Sequence, residues 1–340
     1  MTTTKNSSVI FSSRPDGFPI PGEHLQVTND ATINLDSVPL HGGLLVKTIA
    51  LSVDPYYRIL MDRTYKLGEP IFGHIVGRVI RSELEGYNPG DYIYTEEAPF
   101  QEYAVVTRGA SQLRRIEKDA ATWVQYLGVL GMVTRTAWIG YYALAKAKKG
   151  ETILVSTAAG GVGSAVAQIA KEQGLKVIGS AGSDEKVKYL KEELGLDAAF
   201  NYKTEDLEAV LKREGPIDIY WDHVGGKTLE TVIGNMNPVG RVIICGVIEQ
   251  YNSKDNTGFG VKNFSLIHSR ELTVAGFWVN PLEKREGDFG FFKEMPKLVR
   301  EGKIKIREEV RHGLDTVPQF LLDIQKGKNV GKAVVIVADE

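Results

Sequence analysis

The sequence predicts an α/β protein in two parts, a β-rich N-terminal domain followed by a doubly wound parallel sheet. Three observations carry this. Short β-prone runs separated by Gly and Pro fill the chain as far as Lys118, apolar residues then shift to helical spacing, and from Thr152 onward apolar strands alternate with amphipathic helices. The length of 340 residues also suits two domains of about 150 residues each.

In the first part, residues 44–51 (LLVKTIAL), 75–80, 91–94 and 103–107 are the strand candidates. Pro39, Gly42, Gly43 and a turn at 86–91 (GYNPGD) punctuate them, and the spacing suits a small barrel or a sandwich. Residues 119–130 and 134–146 carry helical spacing. The second run closes with Lys146, Lys148, Lys149 and Gly150, as a helix C-terminus should. Strands are then expected at 152–156, 176–180, 198–200, 217–221, 241–245 and 272–278. Helices are expected between them at 161–173, 184–194, 205–213 and 227–236, with a polar, Gly-containing loop after 245. Such alternation predicts parallel strands with helices on both faces. A last helix at 317–325 and an apolar strand at 333–337 are expected to return to the first domain.

Composition narrows the chemistry. Lys and Arg number 41 against 43 Asp and Glu, a net charge of −2 with no dense basic run. Neither nucleic acid nor an anionic membrane is therefore expected as the main partner. The only cysteine, Cys245, excludes an internal disulfide and any centre built on several thiolates. The histidines show no metal-ligand spacing, so no metal site is expected; His24, His41, His74, His268 and His312 read as surface or core residues. No basic-then-apolar leader opens the sequence, and no apolar run approaches the ~18 residues of a membrane helix, so a reducing cytoplasm is the expected location. Glycine, at 36 residues, exceeds its usual share of about 7%, and its densest group marks the sharpest local feature.

That feature is 153–163 (ILVSTAAGGVG), a strand running through glycines into a helix. Ala158, Gly160 and Gly163 occupy the three positions of the dinucleotide fingerprint G-x-G-x-x-G. Gly160 lets backbone approach a pyrophosphate, Gly163 lets helix and strand pack closely, and the helix N-terminus offers free N–H groups and partial positive charge. A plain strand-to-helix turn has the same glycines. The flanking strand, helix and following βαβ unit favour the nucleotide site.

An NAD site usually carries an acid about 20 residues on, at the end of the second strand. Here that strand ends in Ser180, Ala181, Gly182 and Ser183, small and neutral. Lys186 follows one helical turn later and can pair with a 2′-phosphate, which points to NADP. Asp184 and Glu185 lie beside it, where they also suit a helix N-terminus, and a solvated Lys186 is the competing reading.

Other constellations fail. The segment 217–228 ends like a P-loop, but Trp221 stands where its first glycine belongs. Tyr142 and Lys146 have Tyr-x-x-x-Lys spacing but precede the cofactor loop, so they read as ordinary helix residues. There is neither a G-x-S-x-G elbow nor an H-E-x-x-H helix.

Several further stretches, taken in order, carry a wider likeness: 51–58 (LSVDPYYR), 127–132 (LGVLGM), the cofactor loop, 179–187 (GSAGSDEKV), 200–203 (FNYK), 223–226 (HVGG), 245–252 (CGVIEQYN) and 327–332 (GKNVGK). Together they resemble, over nearly the whole chain, the zinc-independent medium-chain dehydrogenases/reductases of the leukotriene/prostaglandin reductase group. That group includes plant alkenal double-bond reductases and microbial curcumin reductases. The resemblance implies a GroES-like β-barrel domain at 1–129, completed by 307–340, and a Rossmann domain at 130–306, usually in a homodimer. It also implies NADPH in the cleft between domains and a small enone or enal as substrate.

By the same resemblance, Gly160, Gly161, Val162 and Gly163 meet the pyrophosphate, while Gly182, Lys186 and Tyr202 form the 2′-phosphate end. Cys245, Gly246, Val247 and Tyr251 line the ribose and nicotinamide. Phe277, Trp278 and Val279 meet the carboxamide through backbone groups, and Asn329, Met132 and Thr136 add contacts. Two departures stand out. His223, at a position that meets the cofactor, replaces an Asn, and Val133 and Thr134 replace a Pro-Gly pair ahead of Arg135, so that Arg135 and Trp138 are expected to add charge or bulk near the cleft. The loop at 59–70 also departs from the family's usual Arg-Gly-Arg-Met.

Hydride addition to an enone builds negative charge on the carbonyl oxygen, which needs a hydrogen-bond donor, and the α-carbon then needs a proton. Tyr251 is the expected donor or relay, with the cofactor ribose as a second source, and Tyr56 is expected to orient the substrate. The competing reading makes Tyr251 a packing group, with water as the proton source. A quinone oxidoreductase, or a non-catalytic NADPH-binding protein, is the alternative function.

Overall fold

The structure, a computed structural model, describes residues 3–118, 120–253 and 258–339. Asp119, the expected start of the first helix, and part of the loop after Cys245 lie outside them. The chain divides into two compact units, residues 1–128 with 308–340, and residues 129–307.

The first unit opens with β1 (Thr3–Lys5), β2 (Ser8–Phe11), β3 (Leu25–Thr28) and β4 (Thr32–Asn34), which pair β1 with β4 and β2 with β3. At three or four residues, they are too short to show a period in sequence. The spine is β5 (Leu44–Ser52), apolar and buried on both faces. Then come α1 (Tyr57–Arg63), β6 (Phe72–Ser82), β7 (Tyr92–Pro99), β8 (Tyr103–Val106), β9 (Arg114–Ile116) and α2 (Trp123–Leu127). The β5–β6–β7–β9 path is antiparallel, and β8 pairs with Leu44, Leu45, Val46 and Lys47 of β5. Because β5 is thus shared, its two ends hold different neighbours. α1 follows Pro55 and buries Tyr57, Arg58 and Met61. The expected helix at 119–130 shortens to α2, because a capping box between Thr122 and Gln125 starts it late and Gly128 ends it.

The second unit is the doubly wound α/β part. In order it contains α3 (Met132–Gly140), β10 (Thr152–Val155), α4 (Gly161–Glu172), β11 (Lys176–Ala181), α5 (Asp184–Lys188), β12 (Ala198–Asn201) and α6 (Leu207–Glu214). It continues with β13 (Ile217–Asp222), α7 (Gly226–Gly234), β14 (Met236–Ile244), α8 (Ile248–Tyr251), α9 (Ser265–Ser269), β15 (Thr273–Gly276), α10 (Val279–Glu286) and α11 (Phe291–Arg300). All neighbours in the sheet are parallel, in the order β12-β11-β10-β13-β14-β15. Counted from β10 this is 3-2-1-4-5-6, the Rossmann order, which reverses between β10 and β13.

Three local readings change. The helix expected at 134–146 ends at Gly140 and widens into a π-turn over Tyr141–Ala145, closed by a left-handed Lys146. The helix expected at 227–236 stops at Gly234, and Met236 already pairs with Ile217, because residues 237–240 (NPVG), which read as a turn, form an irregularity inside β14. Helices α8, α9, α10 and α11 occupy stretches whose Pro, Gly and charge obscure their periodicity; Pro296 even lies inside α11.

The chain returns to the first unit through β16 (Glu308–His312), α12 (Val317–Gln325) and β17 (Lys332–Ile336). β17 runs antiparallel to β5 at Ser52, Leu51 and Ala50, and β16 lies parallel beside it at the edge. β16 reads EEVRH, a charged pattern suited to an edge strand and hard to recognise in sequence.

Arg135 is not presented as free charge near a cofactor. It is 1% exposed and pairs with Glu283 of α10, and it also donates to Asn280. Three residues on, Trp138 Nε1 donates to the Phe289 carbonyl at 3.1 Å. Arg135→Ala removes one partner of a buried pair and is expected to lower unfolding free energy by about 3 kcal/mol, measured by urea denaturation.

Candidate active site

The turn after β10 is built by exclusion of side chains. A Cβ on Gly163 would lie 2.5 Å from the Thr157 carbonyl oxygen and 2.9 Å from Ala158 Cα, so only glycine lets α4 sit against the strand end. Thr157 takes φ of 49°, turning the chain sharply, and Gly160 caps α4 in an extended conformation with no side-chain hydrogen bond. The first-turn N–H groups of α4 have no partner within the helix. That cradle, including Gly161 and Val162, fits a pyrophosphate.

At the end of β11, Gly182 is overlaid by Tyr202, whose hydroxyl would stand 2.8 Å from a Cβ there. Ser183 caps α5, accepting from the Lys186 backbone N–H at 3.4 Å, so Lys186 lies in the first turn after the Gly182–Ser183 strand end. The neighbouring acids have partners of their own. Asp184 accepts from Asn201 Nδ2 at 2.7 Å, and Glu185 faces Arg307 at 3.8 Å.

The loops after β10 and β13 meet at Ser156. Its Oγ accepts from the His223 backbone N–H at 2.8 Å, and its carbonyl lies 2.7 Å from His223 Nδ1. Trp221 Nε1 donates to His223 Nε2 at 3.2 Å, which leaves the proton on Nδ1. Burial pushes this imidazole down to about 4, only partly offset by the Ser156 contact, so it is neutral at physiological pH. Asp222 Oδ1 binds the Val224 and Gly225 N–H groups and the Tyr220 hydroxyl, and its carbonyl receives the Cys245 and Gly246 N–H groups.

That last bond draws the 245–251 turn onto β13. Tyr251 folds back over it, its hydroxyl accepting from Val247 N–H at 3.4 Å and standing 2.9 Å from where a Gly246 Cβ would be. Burial pushes the phenol up to about 12, with Cys245 and Asp222 adding to the rise, so it remains a protonated donor. Burial likewise pushes the Cys245 thiol up to about 12, an inert side chain. Phe277 packs edge-on to Trp221 at 5.9 Å between centroids, while Trp278, preceding α10 and its first residue Val279, is 54% exposed. Met132 and Thr136 share the first turn of α3, the hydroxyl donating to Met132 Sδ at 3.2 Å.

In the other unit, Tyr56 shares a hydrogen bond of 3.0 Å with His74 Nε2. Beyond it, His74 Nδ1 faces Asp54 at 3.9 Å, and Asp54 pairs with Lys332 at 3.0 Å. Lys332 also donates to Ser52 Oγ and to the Val53 and Ala333 carbonyls. Asn329 bonds the Gly331 carbonyl within its own loop. Sequence reasoning passed over His74 and Ser156. No spacing signal connects either to its partner, since 18 residues separate Tyr56 from His74 and 67 separate Ser156 from His223.

Comparison with known proteins defines the class first. Zinc-binding dehydrogenases match residues 161–294, and the N-terminal domain of oxidoreductases matches residues 8–115. The NADP-dependent oxidoreductase RED1 of Cochliobolus heterostrophus is 38% identical over 98% of both chains, and the 2-alkenal reductase (NADP(+)-dependent) of Nicotiana tabacum is 36% identical over 98% of both. The structure of CurA from Vibrio vulnificus in complex with NADPH superposes with a TM-score of 0.87 at 29% identity, covering 98% of this chain and 100% of that one. The chain belongs to the medium-chain dehydrogenases/reductases, in the zinc-independent group of alkenal, prostaglandin and curcumin reductases. Among the described residues no cluster of His, Cys, Asp or Glu is arranged to hold a metal ion, and no helix is long and apolar enough to cross a membrane.

Because His223 titrates near 4 when folded and near the ordinary 6.5 when unfolded, the unfolded chain binds more protons between those values. Stability is therefore full above about pH 6.5 and is lost as pH falls toward 4. Acid-side urea titrations should show His223→Asn losing about 2 kcal/mol less than wild type across this window.

Proposed function

We propose that this protein uses NADPH to reduce the C=C bond of α,β-unsaturated aldehydes and ketones. The observation that carries the reading is Tyr251, a phenol held protonated over the 245–247 turn at the carboxyl end of the sheet, in a chain similar throughout to a 2-alkenal reductase. NADPH, when bound, supplies a hydride for the substrate β-carbon. In this reading Gly160, Gly161, Val162 and Gly163 hold the pyrophosphate, and Lys186 and Tyr202 hold the 2′-phosphate over Gly182. Tyr251 donates its hydroxyl proton into a hydrogen bond to the substrate oxygen, where negative charge develops.

Cys245, Gly246 and Val247 present backbone beside the ribose, Phe277, Trp278 and Val279 do so beside the carboxamide, and Met132 and Thr136 add contacts. His223 acts indirectly: with both ring nitrogens engaged by Trp221 and Ser156, it keeps the β10 and β13 loops together. The departures at Arg135 and His223 have packing reasons, Arg135 through Glu283 and His223 through Ser156.

The test is a panel of enals, enones and quinones with NADPH and NADH side by side, read at the nicotinamide absorbance. Enone loss with NADPH is expected, and NADPH binding without reduction of any member would refute the reading. Tyr251→Phe should lower kcat by about 100-fold and leave the NADPH Kd within twofold.

We infer a homodimer as well. β15 ends the six-stranded sheet as an open edge with Val274 39% exposed, an arrangement that favours pairing with a second copy. Light scattering should give twice the chain mass, and a monomer at micromolar concentration would exclude it.

A further inference from the structure

The stretch that carries Lys186 has an awkward charge for holding a phosphate. Residues 184–193 (DEKVKYLKEE) contain four carboxylates against three lysines, a net charge of −1. A 2′-phosphate brings about two further negative charges at neutral pH. Part of the lysine charge is already spent within the stretch, where Lys188 faces Glu192 at 3.7 Å. Asp184 receives its bond from the Asn201 amide, a neutral partner that leaves the carboxylate charge in place. Glu185, adjacent to Lys186, and Glu193 share a cation from outside the stretch. Arg307 lies 3.8 Å from Glu185 and 2.5 Å from Glu193.

The position of Arg307 is built into the second unit. Ile304 and Ile306 are buried in its main apolar cluster. Between them, the Lys305 backbone is gripped by the buried Gln168 of α4, whose amide donates to the Lys305 carbonyl at 2.8 Å and accepts the Lys305 N–H at 3.1 Å. α4 is the helix that opens at the glycine cradle. The Arg307 guanidinium then lies over the buried Tyr189 ring, 4.7 Å from its centroid. Tyr189 begins the π-turn Tyr189–Glu193 that continues α5. A cation stacked on an aromatic face and flanked by two acids has a defined place. Beside Tyr202, Lys203 brings a further positive charge, 5.9 Å from the ring centre.

We propose that Arg307 is a specificity-determining residue for the cofactor: by neutralising Glu185 and Glu193 it lets the Lys186 end of the site accept a 2′-phosphate, and so sets the preference for NADPH over NADH. The inference rests on the proposed placement of that phosphate at Lys186 and Tyr202. With Arg307 added, the charge of residues 184–193 rises from −1 to zero. Arg307 acts on the cofactor through this field and not by contact. The field discriminates, because it acts on a phosphate that NADPH has and NADH lacks. It is also screened by salt. Loss of packing over Tyr189, by contrast, weakens both cofactors alike and is indifferent to salt.

The experiment measures Kd for NADPH and for NADH by quenching of tryptophan fluorescence, at about 0.01 M and about 1 M salt, where charges are screened over about 30 Å and about 3 Å. At low salt Arg307→Gln should raise the NADPH Kd about fivefold and leave the NADH Kd within about twofold, and high salt should erase the difference. Arg307→Lys, which keeps the charge, should restore most of the NADPH affinity. Adding Glu185→Gln to Arg307→Gln returns the stretch to zero charge and should return the NADPH Kd to near the wild-type value. Equal weakening of both cofactors, or an NADPH loss that high salt preserves, overturns the proposal. Glu185→Gln alone, with Arg307 intact, should tighten NADPH about threefold; an unchanged NADPH Kd there overturns it independently of how Arg307→Gln folds. A Lys186→Ala protein that keeps the preference for NADPH overturns the 2′-phosphate placement itself. A Lys186→Ala protein that loses the preference, beside an Arg307→Gln protein that keeps it, overturns only the role of Arg307.

Discussion

Strand order reverses at β10, so the helices that follow β10 and β13 leave the sheet toward opposite faces and their connecting loops separate over the carboxyl ends of those strands. What lies at that opening depends on a close approach: α4 must begin within van der Waals distance of Thr157 and Ala158, which a side chain at residue 163 forbids. Ser156 then ties the two loops, receiving the His223 N–H on its hydroxyl and facing the ring with its carbonyl. With β13 so anchored, Asp222 collects the N–H groups of Cys245 and Gly246 and brings in the turn that carries Tyr251. Each step fixes the next, and the order begins with an absent Cβ.

The two tyrosines of interest are kept protonated in different ways. Tyr251 is raised chiefly by burial in a setting that includes Asp222 and Cys245, and it hydrogen-bonds its own turn. Tyr56 is raised too, with burial first and Asp54 second, and it shares a hydrogen bond with an imidazole. A phenol that only donates a hydrogen bond needs the first environment.

Much of the second unit was legible because its signals are local. Gly160 and Gly163 stand three residues apart, Ser183 caps the helix carrying Lys186, and the strand–helix alternation repeats often enough to outweigh errors at single boundaries. Elements whose stability comes from neighbours were not legible. β1 to β4 are too short to show a period, β16 is charged because it lies at an edge, and α10 and α11 contain prolines that propensity alone would count against a helix. Arg135 shows the same limit: one residue in a departing motif reads as free charge until Glu283, nearly 150 positions away, is seen beside it.

By itself, then, the sequence determined the fold class, the nucleotide turn and the preference for a phosphate-bearing cofactor, since these follow from residue types at short fixed spacings. The abundance of glycine belongs here too, through Gly160, Gly163, Gly182 and Gly246. Only the tertiary structure decided what the histidines do. His223 became a neutral pin between two strands, and His74 became the link between Tyr56 and a buried ion pair whose members stand at positions 54 and 332. A hydrogen bond is specified by distance in space, and sequence separation carries no trace of it once the sheet has brought the ends of the chain together.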